Sequence, residues 1–207
     1  MSVSRISAAR RRGSVPAILL AVVSVLVCSS ADAETHAIDL QRSSLTVHVF
    51  KSGLLSAFAD NHVIHAPVSS GSVEEGSPPG VEVTVDARRM KVLDPELAPA
   101  KRDEVQQRML GPEVLDVSRF PEIRFRSTAV KPLAAGRWRV EGLLALHGVS
   151  APVSFEVTEE KGEFRGSATF AQRTFGIEPI TIAAGTVKVK DEVKVDFDIA
   201  TLPSAGH

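Results

Sequence analysis

The chain has 207 residues, 24 of them basic and 25 acidic, with one cysteine and no tyrosine. That balance lacks the basic field of a nucleic-acid binder and the polybasic block that would hold an anionic membrane surface. The lone Cys28 excludes an internal disulfide, so stability must come from a packed core.

Residues 1–33 begin with Arg5, Arg10, Arg11 and Arg12, continue through an apolar run from Ala17 to Val27, and end in Ala31-Asp32-Ala33. Basic start, short apolar core and A-x-A exit form a secretory signal, and the run is too short to anchor stably in a bilayer. The expected organisation is a signal peptide at 1–33, one folded domain at 34–203 and a tail at 204–207. Cleavage after Ala33 would remove four arginines but a single acidic residue, Asp32, and leave a mildly acidic protein without a thiol.

His36 to Phe50 reads as one bent strand or two short ones, with Leu45, Val47 and Val49 on one face and Thr46 and His48 on the other. Lys51-Ser52-Gly53 breaks it. The irregular apolar stretch Leu54 to Val68 reads as a second strand region. Ser69 to Gly80 has the Ser, Gly and Pro content of a loop. Val81, Val83 and Val85 then alternate with Glu82, Thr84 and Asp86, which predicts a strand.

Pro95 and Pro99 lead into a helix at about 99–110, where Lys101 to Leu110 are good helix formers. Val105 and Met109 fall on one helical face, and Gly111-Pro112 ends the helix. It is expected to pack against a barrel or lid it, with a second helical turn over Glu113 to Val117.

From Pro121 to Ile199 the alternation is continuous. Ile123 and Phe125, then Trp138, Val140, Leu144 and Leu146, then Val153, Phe155 and Val157 take one parity. Phe164, Gly166, Ala168 and Phe170, then Val193, Val195, Phe197 and Ile199 continue it, while charged residues such as Arg124, Arg139 and Glu141 take the other. One-sided strands in series need a sheet curled around one interior. The expected fold is mainly β, an antiparallel barrel of roughly eight strands with one short α-helix. Gly142, Gly166 and Ala168 on the inner parity either let a strand bend or leave space. An interior of this size is filled by side chains or holds one small ligand, and the pattern leaves both open.

Four blocks carry a family resemblance. They are Ile38-Asp39 with Ser43-Ser44-Leu45 and Gly53; Val114 to Pro121 with Phe125 and Ser127; Leu144 to Val153 (LALHGVSAPV); and Arg173, Phe175 and Gly176 with Asp191-Glu192-Val193. Together they make the chain resemble the YceI-like family of exported, polyisoprenoid-binding proteins. Arg42 and Lys51 stand where the family often has histidines, and Phe58 to Ile64 departs from its usual phenylalanine-glycine stretch.

The resemblance implies an extended lipocalin-like barrel holding a long isoprenoid chain. It implies periplasmic location, or secretion where the host has one membrane. The implied tunnel wall is Val83, Val85, Met109, Phe125, Trp138, Leu144, Leu146, Phe155, Phe164, Phe170 and Phe197. No cofactor is required, the bound molecule being a polyprenyl lipid or isoprenoid quinone. The expected partner is a small apolar lipid, with no nucleic acid and no stable membrane insertion after cleavage; a homodimer is left open.

His62 and His65 have opposite strand parity and His48 sits on an outer parity, so a converging metal site is disfavoured. His147 precedes Gly148 in a tight turn with no nucleophile or carboxylate at a recognisable spacing. Arg88, Arg89, Lys101 and Arg102 read as solvated charge or as contacts to a polar head group at a barrel mouth. Asp103, Glu104, Asp191 and Glu192 form no catalytic pair. A small hydrolase at the mouth, or a filled structural barrel, are the alternatives to a lipid-binding role.

Overall fold

The alternation from Pro121 onward folds into a meander of long antiparallel strands, seen in a computed structural model that describes residues 34–52, 61–182 and 187–203. These strands are β7 (Glu122–Ala134), β8 (Arg137–Leu146), β9 (Val149–Glu160), β10 (Glu163–Ala171) and β12 (Val187–Ala200). The earlier elements are β1 (Glu34–Ala37), β2 (Ser44–Ser52), β3 (His62–Ala66), β4 (Val68–Glu75), β5 (Gly80–Asp86) and the short β6 (Lys91–Val92). A twelve-residue helix α1 (Pro99–Leu110) and the short β11 (Thr181–Ile182) complete the set.

All twelve strands belong to one sheet, in the order β1-β4-β5-β7-β8-β9-β10-β12-β2-β3-β6, with β11 beside β12. The count differs from the expected eight because two strands are broken and two short strands, β6 and β11, are added. Pro67, which has no N–H to give to a ladder, separates β3 from β4 and is the single residue between them. A turn at Asp39, whose carboxylate accepts from the Gln41 and Arg42 amides at 3.0 and 3.3 Å, separates β1 from β2. Both halves of each broken strand share a place in the ring. β2 joins β12 and β3, while β1 pairs with β4 and Ile38 bridges Thr201. The ring therefore has eight positions and curls back on itself, a lipocalin-like barrel.

Two expectations are corrected. Ser69 to Gly80 is a loop only at residues 76–79, since β4 runs to Glu75 and is paired on both sides, by β1 and by β5. Its serines suit a polar outer face, where the Ser69 hydroxyl donates to the Thr84 carbonyl at 3.0 Å. Glu113 to Val117 forms hydrogen-bonded turns instead of helix, with the Asp116 amide reaching back to the Gly111 carbonyl at 2.8 Å. The expected signal, the 54–60 part of the second strand region and the 204–207 tail lie outside the described residues.

The helix caps one end of the barrel. Its Met109 is 6% exposed and packs with Leu115, Leu146, Ala151, Phe175 and Ile177 in the main core cluster, with Val105 against it. Gln106 ties the helix to β6: its amide oxygen accepts from the Val92 amide at 2.7 Å and its nitrogen donates to the Met90 carbonyl at 2.8 Å. Gln106→Ala should cost about 2 kcal/mol in a urea melt, because it strands a donor beside buried Val92. No change in midpoint would mean that water replaces the clamp. Among the described residues no helix is long and apolar enough to cross a membrane.

Candidate functional site

The inner parity of β5, β7, β8, β9, β10 and β12 surrounds a cavity of about 650 Å³. Valine and phenylalanine dominate its wall: Val83, Val85, Phe125, Val140, Val153, Phe155, Val157, Phe164, Phe170, Val195 and Phe197, with Trp138 and Leu144. Nine of the eleven expected wall residues line it. The other two, Met109 and Leu146, do not. They lie deeper, as buried members of the core cluster beneath the helix end. Leu146 continues the inner parity of β8 past Leu144, but at the level where the barrel is plugged.

Leu45, Val85, Ile123, Leu144, Val153 and Phe170 belong both to the cavity lining and to this core, so they form the cavity floor. Below them Phe175 has no exposed surface and meets Phe170 edge-on at 5.3 Å between ring centroids. The β8–β9 hairpin closes the same end. It turns through His147 and Gly148 at φ 51° and 76°, the left-handed pair that a two-residue hairpin requires. His147 Nδ1 lies 3.2 Å from the Phe175 carbonyl oxygen, and its ring sits edge-on to Phe120. His147 is thus a structural part of the closed end.

The glycines on the inner parity do not leave space. Gly166 lies opposite Phe197 across the β10–β12 ladder, and a Cβ there would fall 2.6 Å from the Phe197 ring. A Cβ at Gly142 would fall 2.5 Å from the Phe125 ring. Each glycine is a seat for a phenylalanine of the neighbouring strand. So seated, the two rings flank Phe155 with centroid distances of 5.2 Å on either side. This aromatic group spans the wall while the cavity stays open beside it.

The mouth is at the other end, beside the turn from Gly76 to Pro79 and the start of β8. Its lining includes Val73, Val81, Val130, Trp138, Glu74, Glu75 and Glu159. Among the described residues the three glutamates are the only charged side chains in the lining, which there contains no hydroxyl, side-chain amide or cation. They were not among the expected site residues. Glu159 was legible, because it follows Val153, Phe155 and Val157 on one parity.

Arg88, Arg89, Lys101 and Arg102 stand at the helix end, away from this mouth. Arg88 is held by Asp86 at 2.8 and 2.9 Å and Lys101 by Glu104 at 2.9 Å. The head-group role imagined for them at the mouth is therefore corrected. The outer face carries ion-pair ladders. Arg139 and Arg137, each 2.8 Å from Glu156, hold its carboxyl below the usual glutamate range.

His62 and His48 pair with separate carboxylates. His62 Nδ1 is 2.6 Å from buried Asp94, which also accepts from the Val63 amide at 2.8 Å. His48 Nε2 is 3.0 Å from Asp196. His62 is therefore tied to the protein interior and is not a rim residue.

Fold and cavity together define a small antiparallel β-barrel with an apolar chamber open at one end. Residues 36–201 match the family model described as YceI-like domain, and the chain belongs to the YceI-like family. A UPF0312 protein of Pseudomonas putida (strain W619) is 30% identical over 115 residues, which cover 51% of this chain and 57% of that protein. A second, from strain GB-1, is 29% identical over the same length and shares of each chain. The chain thus spans a little over half the length of the curated relatives it matches.

Two solved structures share the fold. Burkholderia cenocepacia BcnA superposes with a TM-score of 0.59 at 18% identity, covering 78% of this chain and 98% of that one. A polyisoprenoid binding domain from Saccharophagus degradans, implicated in plant cell wall breakdown, gives 0.54 at 14% identity, covering 82% and 98%.

Proposed function

We propose that this protein is an exported binding protein that takes the apolar part of an isoprenoid or related lipid into the barrel and shields it from water. The observation that carries the reading is the cavity: about 650 Å³ with an almost wholly apolar wall. A core that only needed to stabilise the fold would be packed without such a space. Burial supplies the affinity, at about 0.8 kcal/mol for each methylene removed from water. No covalent step is required of the protein, and no cofactor; a polyprenyl lipid or isoprenoid quinone is the cargo. The Saccharophagus domain, described as polyisoprenoid binding, supports the class of ligand. The signal pattern of residues 1–33 supports export, to the periplasm in a host with two membranes.

The test is to purify the mature protein from its host without detergent, extract it with organic solvent and analyse the extract by mass spectrometry. A stoichiometric isoprenoid is expected. A clean extract, together with no uptake of added quinone or prenyl lipid, sinks the proposal. Phe155→Trp should lower uptake at least tenfold, because the larger ring projects into the chamber from the middle of the aromatic group. Unchanged uptake would place the ligand elsewhere.

A further inference from the structure

The two ends of the cavity differ, and the difference bears on which lipids it can take. At the helix end the floor is solid: Leu144, Val153 and Phe170 rest on Met109, Leu146 and Phe175, which are 6%, 7% and 0% exposed. A tail that enters from the mouth stops there. At the roughly 30 Å³ that a water molecule occupies in its liquid, the cavity's volume corresponds to about 20 non-hydrogen atoms, or about four five-carbon isoprene units. Longer tails would have to leave their excess in water at the mouth. Excess length then contributes nothing, whereas each methylene that does enter tightens binding about fourfold.

The mouth carries a charge of one sign. Glu159 extends the inner parity of β9, two residues beyond buried Val157. Glu75 extends the inner parity of β4, two residues beyond Val73. β4 and β9 are four pairings apart in a ring of eight positions, so the two carboxylates stand on opposite walls. The neighbouring cations are engaged on the outer face, Arg137 with Glu156 and Arg165 with Asp198 and Glu163. His36 lies 3.9 Å from both Glu34 and Glu75, and the exposed Lys161 of the β9–β10 turn lies 3.9 Å from Glu160, so the rim's cations are each shared with a carboxylate. A phosphate or carboxylate head drawn to this rim by its tail would meet like charge on both sides.

Building on the lipid-binding reading above, we propose that the cavity selects a short amphiphile. Its tail is about four isoprene units long, a limit set by the floor, and its head carries no negative charge, a limit set by Glu75 and Glu159.

Trp138, the only tryptophan of the chain, lines the cavity and reports occupancy directly. The experiment titrates the mature protein with prenyl alcohols of two, three, four and eight or more units, and with the amine and phosphate of the four-unit chain. Tryptophan emission is followed, with equilibrium dialysis as a second readout. Affinity should rise with length to about four units and then stop rising. The phosphate should bind at least about tenfold more weakly than the alcohol at low salt, a gap that narrows as salt screens the rim. The gap should close in the double variant E75Q/E159Q, and M109A should move the plateau to longer tails.

Affinity that keeps climbing to eight units, or a phosphate that binds as tightly as the alcohol, overturns the inference and leaves the lipid-binding reading standing. Failure of every compound to bind overturns both. The length series and the head-group series need only the wild-type protein, so they decide the matter even where M109A does not fold.

Discussion

Phe175→Ala should lower the unfolding free energy by about 3–5 kcal/mol, a large share of the 5–15 kcal/mol that holds a typical domain. In a thermal melt the Tm should fall by about 10 °C. The side chain has no exposed surface, meets the Phe170 ring edge-on and offers its backbone carbonyl to His147. Its segment is a short 3-10 turn, Gln172–Phe175, pinned by a Gln172 side-chain bond to the Lys190 carbonyl at 2.8 Å. That turn cannot slide inward to fill the hole, so the cavity term is felt in full. Binding should weaken as well, because Phe170 stands between the hole and the ligand chamber. A variant that melts with the wild type would show that the closed end repacks freely.

Gly166→Ala is expected to cost about 3 kcal/mol, at the upper end for overpacking. The added methyl meets the Phe197 ring at 2.6 Å and the Glu156 carbonyl oxygen more closely still. The ring can swing away, but the carbonyl belongs to the β9 ladder, where Glu156 pairs with Ser167, and can move only by breaking it. The two obstacles can be separated. Adding Phe197→Leu should restore ligand uptake, since the ring is no longer driven into the chamber, yet recover part of the stability at most. Full recovery of both by Phe197→Leu would mean that the carbonyl contact relaxes without cost. An unchanged melting curve for Gly166→Ala would sink the seat argument altogether.

The direction in which a strand residue points could be read from the sequence, and its depth could not. Alternation assigned Phe125, Phe155 and Phe197 to the interior, and they are there. The same alternation put Leu146 beside Leu144 as wall. The structure divides them, because the cavity ends between the two, where α1 and Phe175 press upward. Met109 was likewise read as facing inward, and it does so from beneath the floor. Gly142 and Gly166 were read as bends or voids, since a single chain does not show which neighbour faces a glycine. The partner rings that fill them come from other strands. β4 was missed because its Ser-Ser-Gly-Ser run has turn composition, and only pairing on both sides makes it a strand. The broken ring positions at Pro67 and Asp39 raised the strand count above eight without altering the ring.

The joining of β2 to β12 places Val47 against Val195 and Leu45 against Phe197, near the two ends of the described chain. Contacts so distant in sequence are slow to form. During synthesis, N-terminus first, β2 and β3 can exist while the wall they need does not. The chamber therefore has no partial form: until residues near Ile199 have emerged there is a hairpin meander with an apolar face and nothing to hold a guest. Ligand capture can begin only when the last strand arrives. Truncation within β12 would remove both that strand and the neighbour on which the first half of the barrel depends.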